Sequence, residues 1–145
     1  MNLRWLRAGE LLAAAGAVLA IVSLFEPWYE GPSGTLDAWD TFGPAVVLLL
    51  AAICAALALV VTTVTERTTA VPVAVGVWCV LLALIGLIAT VVRALQLPDH
   101  ATTRCAGVWL ALAGTVLMLA GAFLALRDER PSRYEPTAPE PQPEP

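Results

Sequence analysis

Long stretches of this chain carry no charge, and its polar residues are gathered between them. Residues 71–92 run for 22 positions without a charge, and residues 107–126 for 20. Residues 45–61 are 17 consecutive apolar positions, extended toward a full span by Thr62, Thr63 and Val64. A helix needs ~20 such residues to cross the hydrocarbon core of a bilayer, so all three read as membrane-spanning helices. A fourth run comes first in the chain: 11–25 offers 15 uncharged positions, with Arg7 and Glu10 just before it. Barrel strands would appear as short alternating segments, and these runs are continuous. The pattern predicts an all-α membrane protein, with four transmembrane helices over 6–25, 43–64, 71–92 and 107–126 in an antiparallel left-handed bundle.

The small residues of these runs repeat with their own period. In the fourth helix Gly107, Ala111, Gly114, Met118, Gly121 and Ala125 follow one another at steps of four and three. The first helix has Gly9, Ala13, Gly16, Ala20 and Ser23 at the same steps, and the third has Gly76, Cys79, Ala83, Gly86 and Thr90. In the second the corresponding series is Ala51, Ala55, Ala58 and Thr62, with no glycine to strengthen it. A 3.5-residue period keeps one face toward its neighbours in a left-handed bundle. Small residues on that face let backbones approach where lipid removes the hydrophobic incentive to pack. Gly107, Ala111, Gly114 and Gly121 are therefore the expected helix-packing positions.

Composition agrees with this class. Only 14% of residues are charged, against about 25% in a soluble domain. All eight basic residues are Arg, and the net charge of −4 argues against a nucleic-acid partner. Arg4, Arg7, Arg67, Arg127, Arg130 and Arg133 fall on one side of the expected membrane, and only Arg93 and Arg104 on the other. Under the positive-inside rule both termini belong in the cytoplasm and residues 26–42 form the longest external loop of a plasma-membrane protein. Arg4 and Arg7 also suit a secretory signal peptide. The run exits through SLFEPWY, however, which has no small-x-small cleavage site, so an uncleaved helix is expected.

The external loop concentrates the chain's acidic and aromatic residues. Trp28 and Tyr29 follow the first helix, Trp39 and Phe42 precede the second, and Trp109 opens the fourth. Rings at such positions are expected to form a belt at the headgroup level. The sharper reading makes Glu30, Asp37 and Trp39 a surface on which a partner docks. TLDAWDTFGP suits a short helical turn capped by Thr35 or Asp37 ahead of Pro44.

Candidate chemistry is sparse. Glu10 is the one acidic residue in the spans, and four helices with a glutamate in the first resemble small multidrug transporters. Those place the acid deep in the helix, whereas Glu10 sits near the inner boundary and suits an interfacial pair with Arg7. Cys54, Cys79 and Cys105 contain no C-x-x-C, and His100 is the only histidine. No catalytic, cofactor or metal site is expected, and the chain is not expected to be an enzyme. After the domain at 1–126, the tail 127–145 is rich in Pro and Glu and reads as disordered.

GVWLALAGTVLMLAGAFLALRDERP, SLFEPWYE and DAWDTF together resemble small, uncharacterised four-helix integral membrane proteins of actinobacterial type. The resemblance spans most of 1–131; its motifs specify packing and interfaces, and the family implies no reaction. A claudin-like topology, with a long loop after the first helix, lacks its cysteines and its GLW motif here. The expected role is a non-enzymatic structural or accessory subunit, with the lipid bilayer, a second copy or a larger membrane complex as partners. A small carrier or lipid-handling protein is the alternative, and a membrane enzyme the third.

Overall fold

The computed structural model describes residues 8–32, 34–65, 70–98 and 101–128. Four of its helices are long and apolar enough to cross a membrane. They are α1 (Ala8–Phe25), α3 (Val46–Thr65), α4 (Ala70–Leu95) and α5 (Ala106–Asp128). At ~1.5 Å per residue their 18, 20, 26 and 23 residues match or exceed most of a ~30 Å hydrocarbon layer. A short helix, α2 (Ala38–Phe42), and a 3-10 turn over Gly43–Ala45 lead into α3. The last helix boundaries differ from expectation mainly at α4, which continues past residue 92 and takes in Arg93.

The helices pack in a closed ring, α1 on α5, α5 on α4, α4 on α3, and α3 on α1. The tightest of these junctions follows from glycine. A Cβ added at Gly16 would lie 2.5 Å from the Met118 nitrogen and 2.6 Å from the Gly114 oxygen. One added at Gly114 would lie 2.8 Å from both the Ala20 nitrogen and the Gly16 oxygen, and one at Gly9 would lie 2.5 Å from the Ala125 nitrogen. The pairings run in opposite directions along the two helices, so α1 and α5 are antiparallel and touch backbone to backbone. Every stripe position expected in these two helices is buried, from Gly9 to Ser23 and from Gly107 to Ala125.

Elsewhere the ring is looser, and side chains fill the space. A Cβ on Gly86 would stand 3.2 Å from the Ala52 Cβ, and one on Gly76 would meet the Leu126 side chain at 2.8 Å. The stripe of α4, Gly76 through Thr90, is buried as expected. That of α3 is shifted. Ala51, Ala55, Ala58 and Thr62 are only half-buried, and the face turned inward carries Val46, Leu49, Ala52, Ile53, Ala56 and Leu59. Alanine supplies no preference of its own between those faces, and the larger Leu and Ile side chains decide which one is covered.

The outward surface of the ring is itself apolar. Leu11, Val18, Phe25, Val47, Val61, Trp78, Ile88, Leu95, Trp109 and Phe123 are all exposed.

Replacing Gly114 with Ala adds one methyl at the α1–α5 junction, where only backbone can receive it. Helix propensity favours Ala by about 1 kcal/mol, while overpacking costs ~1–3 kcal/mol. The clash should win. Gly114→Ala should lower the thermal midpoint in detergent, and Val116→Ala, on the exposed face of α5, should leave it nearly unchanged. Equal midpoints for the two variants would sink the account.

Candidate functional site

Between the helices, at the end where α1 and α4 finish and α3 and α5 begin, the connecting segments fold together. Tyr29–Gly31 (β1) pairs antiparallel with Gly34–Leu36 (β2), in the register Tyr29 to Leu36 and Glu30 to Thr35. Gly34 closes the hairpin with φ +124°, a conformation that L side chains rarely adopt. The opposite edge of β1 takes Thr103–Arg104 (β3), with Tyr29 facing Arg104 and Glu30 facing Thr103. The sheet order is β2-β1-β3. The loop expected at 26–42 is thus an organised cap, joined by a second segment whose part was not visible in the sequence.

Trp28 anchors the cap. The side chain is fully buried, its indole N–H donates to the Ser23 oxygen at 2.7 Å, and its ring meets Phe42 edge-on with centroids 4.9 Å apart. Such pairs add about 0.5–1.5 kcal/mol beyond the area they bury. The Trp28 nitrogen donates to Leu36 and its carbonyl accepts from Cys105, both at 2.8 Å. Gly107 is required beside it: a Cβ there would fall 2.5 Å from the Trp28 Cδ1. Trp28, Tyr29 and Phe42 therefore belong to the protein core rather than to the headgroup belt expected for them. Trp39 and Trp109 remain exposed.

The cap also completes the helix ends. The last carbonyls of a helix have no partner within it, and in α4 each finds one. Val92 accepts from the Gln96 nitrogen at 2.9 Å, and Arg93 from the Tyr29 hydroxyl. Ala94 accepts from the Arg104 Nε at 2.7 Å, and Leu95 from its Nη2 at 3.5 Å. A guanidinium here also meets the negative end of the helix dipole. At the start of α5, the Gly107 nitrogen donates to the Pro27 oxygen at 2.9 Å. Arg93 and Arg104, counted in the sequence only as charges against translocation, have structural tasks. Burial pushes the Tyr29 phenol above its ordinary pKa, and the two neighbouring arginines, Arg104 before Arg93, oppose that rise.

The residues expected to meet a partner are only partly available. Glu30 and Trp39 are exposed. Asp37 is half-buried and its carboxylate caps α2, accepting from the Trp39 nitrogen at 2.8 Å and the Asp40 nitrogen at 3.0 Å. Of the two caps considered for that turn, Asp37 is the one used. Asp40, exposed on α2, completes the acidic surface. At the other end of the molecule Glu10 is buried in the first turn of α1 and is engaged rather than free. Its expected partner Arg7 lies outside the described residues, as do His100 and the tail from residue 129 onward. The helix-packing residues Gly107, Ala111, Gly114 and Gly121 are all buried on the α5 face that meets α1 and the cap.

The hydroxyls of Thr62, Thr63, Thr90 and Thr115 donate to carbonyls three or four residues earlier in their own helices. Among the described residues no buried side-chain polar atom lacks a hydrogen bond, and no group of acids, histidines and thiols could hold a metal. Cys79 is buried, Cys54 is exposed on α3, and Cys105 is half-buried beside the sheet. A groove of about 440 Å³ is lined by Phe42, Ala45 and Leu48 on one side and Ile85, Ile88 and Arg93 on the other. No family model, curated protein or solved structure matches the chain.

Capping of α4 by the sheet gives two expectations. Tyr29→Phe and Arg104→Gln should each cost about 1–2 kcal/mol and speed hydrogen exchange in the last turn of α4. Because the folded-state pKa of Tyr29 is raised, its contribution is complete below the unfolded value of about 10 and declines as pH rises through the folded value. Wild-type stability should fall above that pH, and the fall should be shallower in Tyr29→Phe. An unchanged exchange rate in both variants would refute the capping role.

Proposed function

We propose that this chain is a multi-pass plasma-membrane protein and a non-enzymatic structural or accessory subunit. Its four long helices form an antiparallel left-handed bundle across the bilayer, with both termini in the cytoplasm and the cap outside. One observation carries the reading. Among the described residues every buried side-chain polar atom has a hydrogen-bond partner, while the long helices present apolar side chains outward. In lipid that arrangement is required, since an unsatisfied polar group there costs several kcal/mol. The buried steps of four and three in α1, α4 and α5 support the left-handed crossing.

The partner surface in this reading is the top of the cap. Glu30, Trp39 and Asp40 are exposed there on a rigid support, with Asp37 beneath them holding α2. An exposed tryptophan among acids is the kind of anchor that binding surfaces use, and rigid support lowers the entropy lost on docking. The partner is either a second copy or another membrane protein.

Two measurements test this. Reporter fusions after Ser33 and after Pro145 should give an external and a cytoplasmic signal respectively; an external signal at Pro145 defeats the topology. After mild detergent extraction, the mass of the native complex should exceed that of a monomer. Trp39→Ala with Glu30→Lys should return it to monomer mass, and Glu10→Gln should not. If Glu10→Gln alone abolishes the protein's phenotype while the cap variant retains it, a proton-coupled carrier replaces the subunit reading.

A further inference from the structure

The groove between α3 and α4 joins an apolar wall to a single cation. Phe42, Ala45, Leu48, Ile85, Ile88, Ala89 and Val92 make an apolar wall, and Arg93 is the one charged side chain on it. From Ile85 to Arg93 the wall follows two turns of α4, about 12 Å. Its volume of about 440 Å³ lies within the ~300–1,000 Å³ of sites that hold small ligands.

Arg93 stands at the cap end of this groove, with its Cζ 5.9 Å from the centre of the Phe42 ring. No carboxylate among the described residues lies within ion-pairing distance of it. Arg104, the other cation near Tyr29, already donates its Nε and Nη2 to the end of α4. Arg93 uses only its backbone carbonyl in that capping, so its guanidinium keeps its donors. A guanidinium at the end of a long apolar helix belongs at the headgroup level, where it meets phosphate in a planar, two-bonded geometry.

We propose that this groove is a binding site for one acyl chain of an anionic phospholipid, with the lipid phosphate on Arg93. Charge complementarity selects the occupant. A neutral apolar helix would cover the wall and leave the guanidinium without an anion, whereas an anionic lipid supplies both parts at the matching depth. The bound lipid would fill the α3–α4 side of the ring, where Gly86 meets the Ala52 side chain first, and leave the α1–α5 side to pack backbone to backbone. The proposal rests on the reading that the long helices cross a membrane.

Native mass spectrometry of the full chain, extracted in mild detergent and exchanged with phosphatidylglycerol or phosphatidylcholine, tests it. Wild type should retain phosphatidylglycerol about fivefold better, the preference that one arginine confers at an anionic headgroup surface. Arg93→Gln should bring the two lipids level, with thermal stability in lipid-free detergent little changed because the carbonyl cap remains. Ala89→Phe, which fills the groove, should reduce retention of both lipids. Persistence of the preference in Arg93→Gln, or unchanged retention in Ala89→Phe, overturns the proposal. So does a doubled mass that Ala89→Phe returns to monomer, which would assign the groove to a second copy. A protein that stays in solution without detergent would instead defeat the membrane reading itself.

Discussion

Between α1 and α5 the two backbones meet with no side chain intervening at the levels of Gly9, Gly16, Gly114 and Gly121. The rest of the molecule is built outward from that junction. Glycine in the middle of a helix costs about 0.5–1 kcal/mol relative to Ala, and Gly16, Gly114 and Gly121 are tolerated there because a close-packed neighbour fills each one. Dispersion attraction falls steeply with distance, so a junction at backbone contact gains more per residue than one held apart by side chains. On the proposed membrane-spanning reading, burying one apolar side chain against another brings little, and this difference decides which helices are neighbours. The seam also sets the position of the cap. Its last member, Gly107, lies against the Trp28 ring and the Pro27 carbonyl, so the approach of α5 to α1 carries on into the approach of α5 to the sheet.

The cap in turn is a hydrogen-bond adaptor for helix ends. Its strands number three, three and two residues, too few to be stable as an isolated sheet. What holds them is the set of partners that the helices leave open. The Trp28 indole takes a carbonyl at the end of α1, Tyr29 and Arg104 take those of α4, and the Pro27 carbonyl takes a donor of α5. Dependence runs both ways. Without the cap the helix ends would have to find water at the edge of an apolar layer, and without the helix ends the strands would have no fixed register. Tyr29 shows the coupling within one residue: its backbone pairs with Leu36 and Arg104 in the sheet, and its hydroxyl caps a helix 64 residues further along the chain.

The parts of this arrangement that were legible in the sequence are those with a local signal. Uncharged runs marked four helices, and the glycine-led steps of four and three marked the inward faces of α1, α4 and α5. Thr35 and Asp37 ahead of AWDTF marked a capped turn without deciding between them, and Asp37 is the cap of α2. In α3, alanines lie on every side, and the inward face was set by Leu49, Ile53 and Leu59, whose placement depends on what α4 presents to them. The sheet had no local signal at all, since β1 and β3 are short and about 70 residues apart. Trp28 and Tyr29 were assigned to the headgroup level by a rule about aromatic rings near helix ends; their indole and phenol donors are instead drawn inward by carbonyls that only the folded chain brings near. Of the surface residues, Glu30 and Trp39 were legible as exposed, while the engagement of Asp37 depended on the short helix actually forming.

The same economy of polar groups limits where this molecule can act. A serine or threonine hydroxyl in a helix either faces a cavity or bonds back to its own backbone, and Ser23, Thr62, Thr63, Thr90 and Thr115 all take the second course. The interior among the described residues is therefore a packing surface without free donors or acceptors to present to a solute. Among the described residues, two places with free bonding capacity are the acidic top of the cap and the Arg93 guanidinium beside the α3–α4 groove. Both lie at the same end of the ring, and Phe42 joins them: it follows Trp39 and Asp40 in α2, packs on Trp28, and forms the face over which Arg93 sits. A load on the top of the cap that moved α2 would displace Phe42, and with it the ring that holds the arginine over the groove. The proposed docking above and the proposed lipid binding beside would thus be linked through one aromatic side chain, with Trp28 fixing its edge from the core.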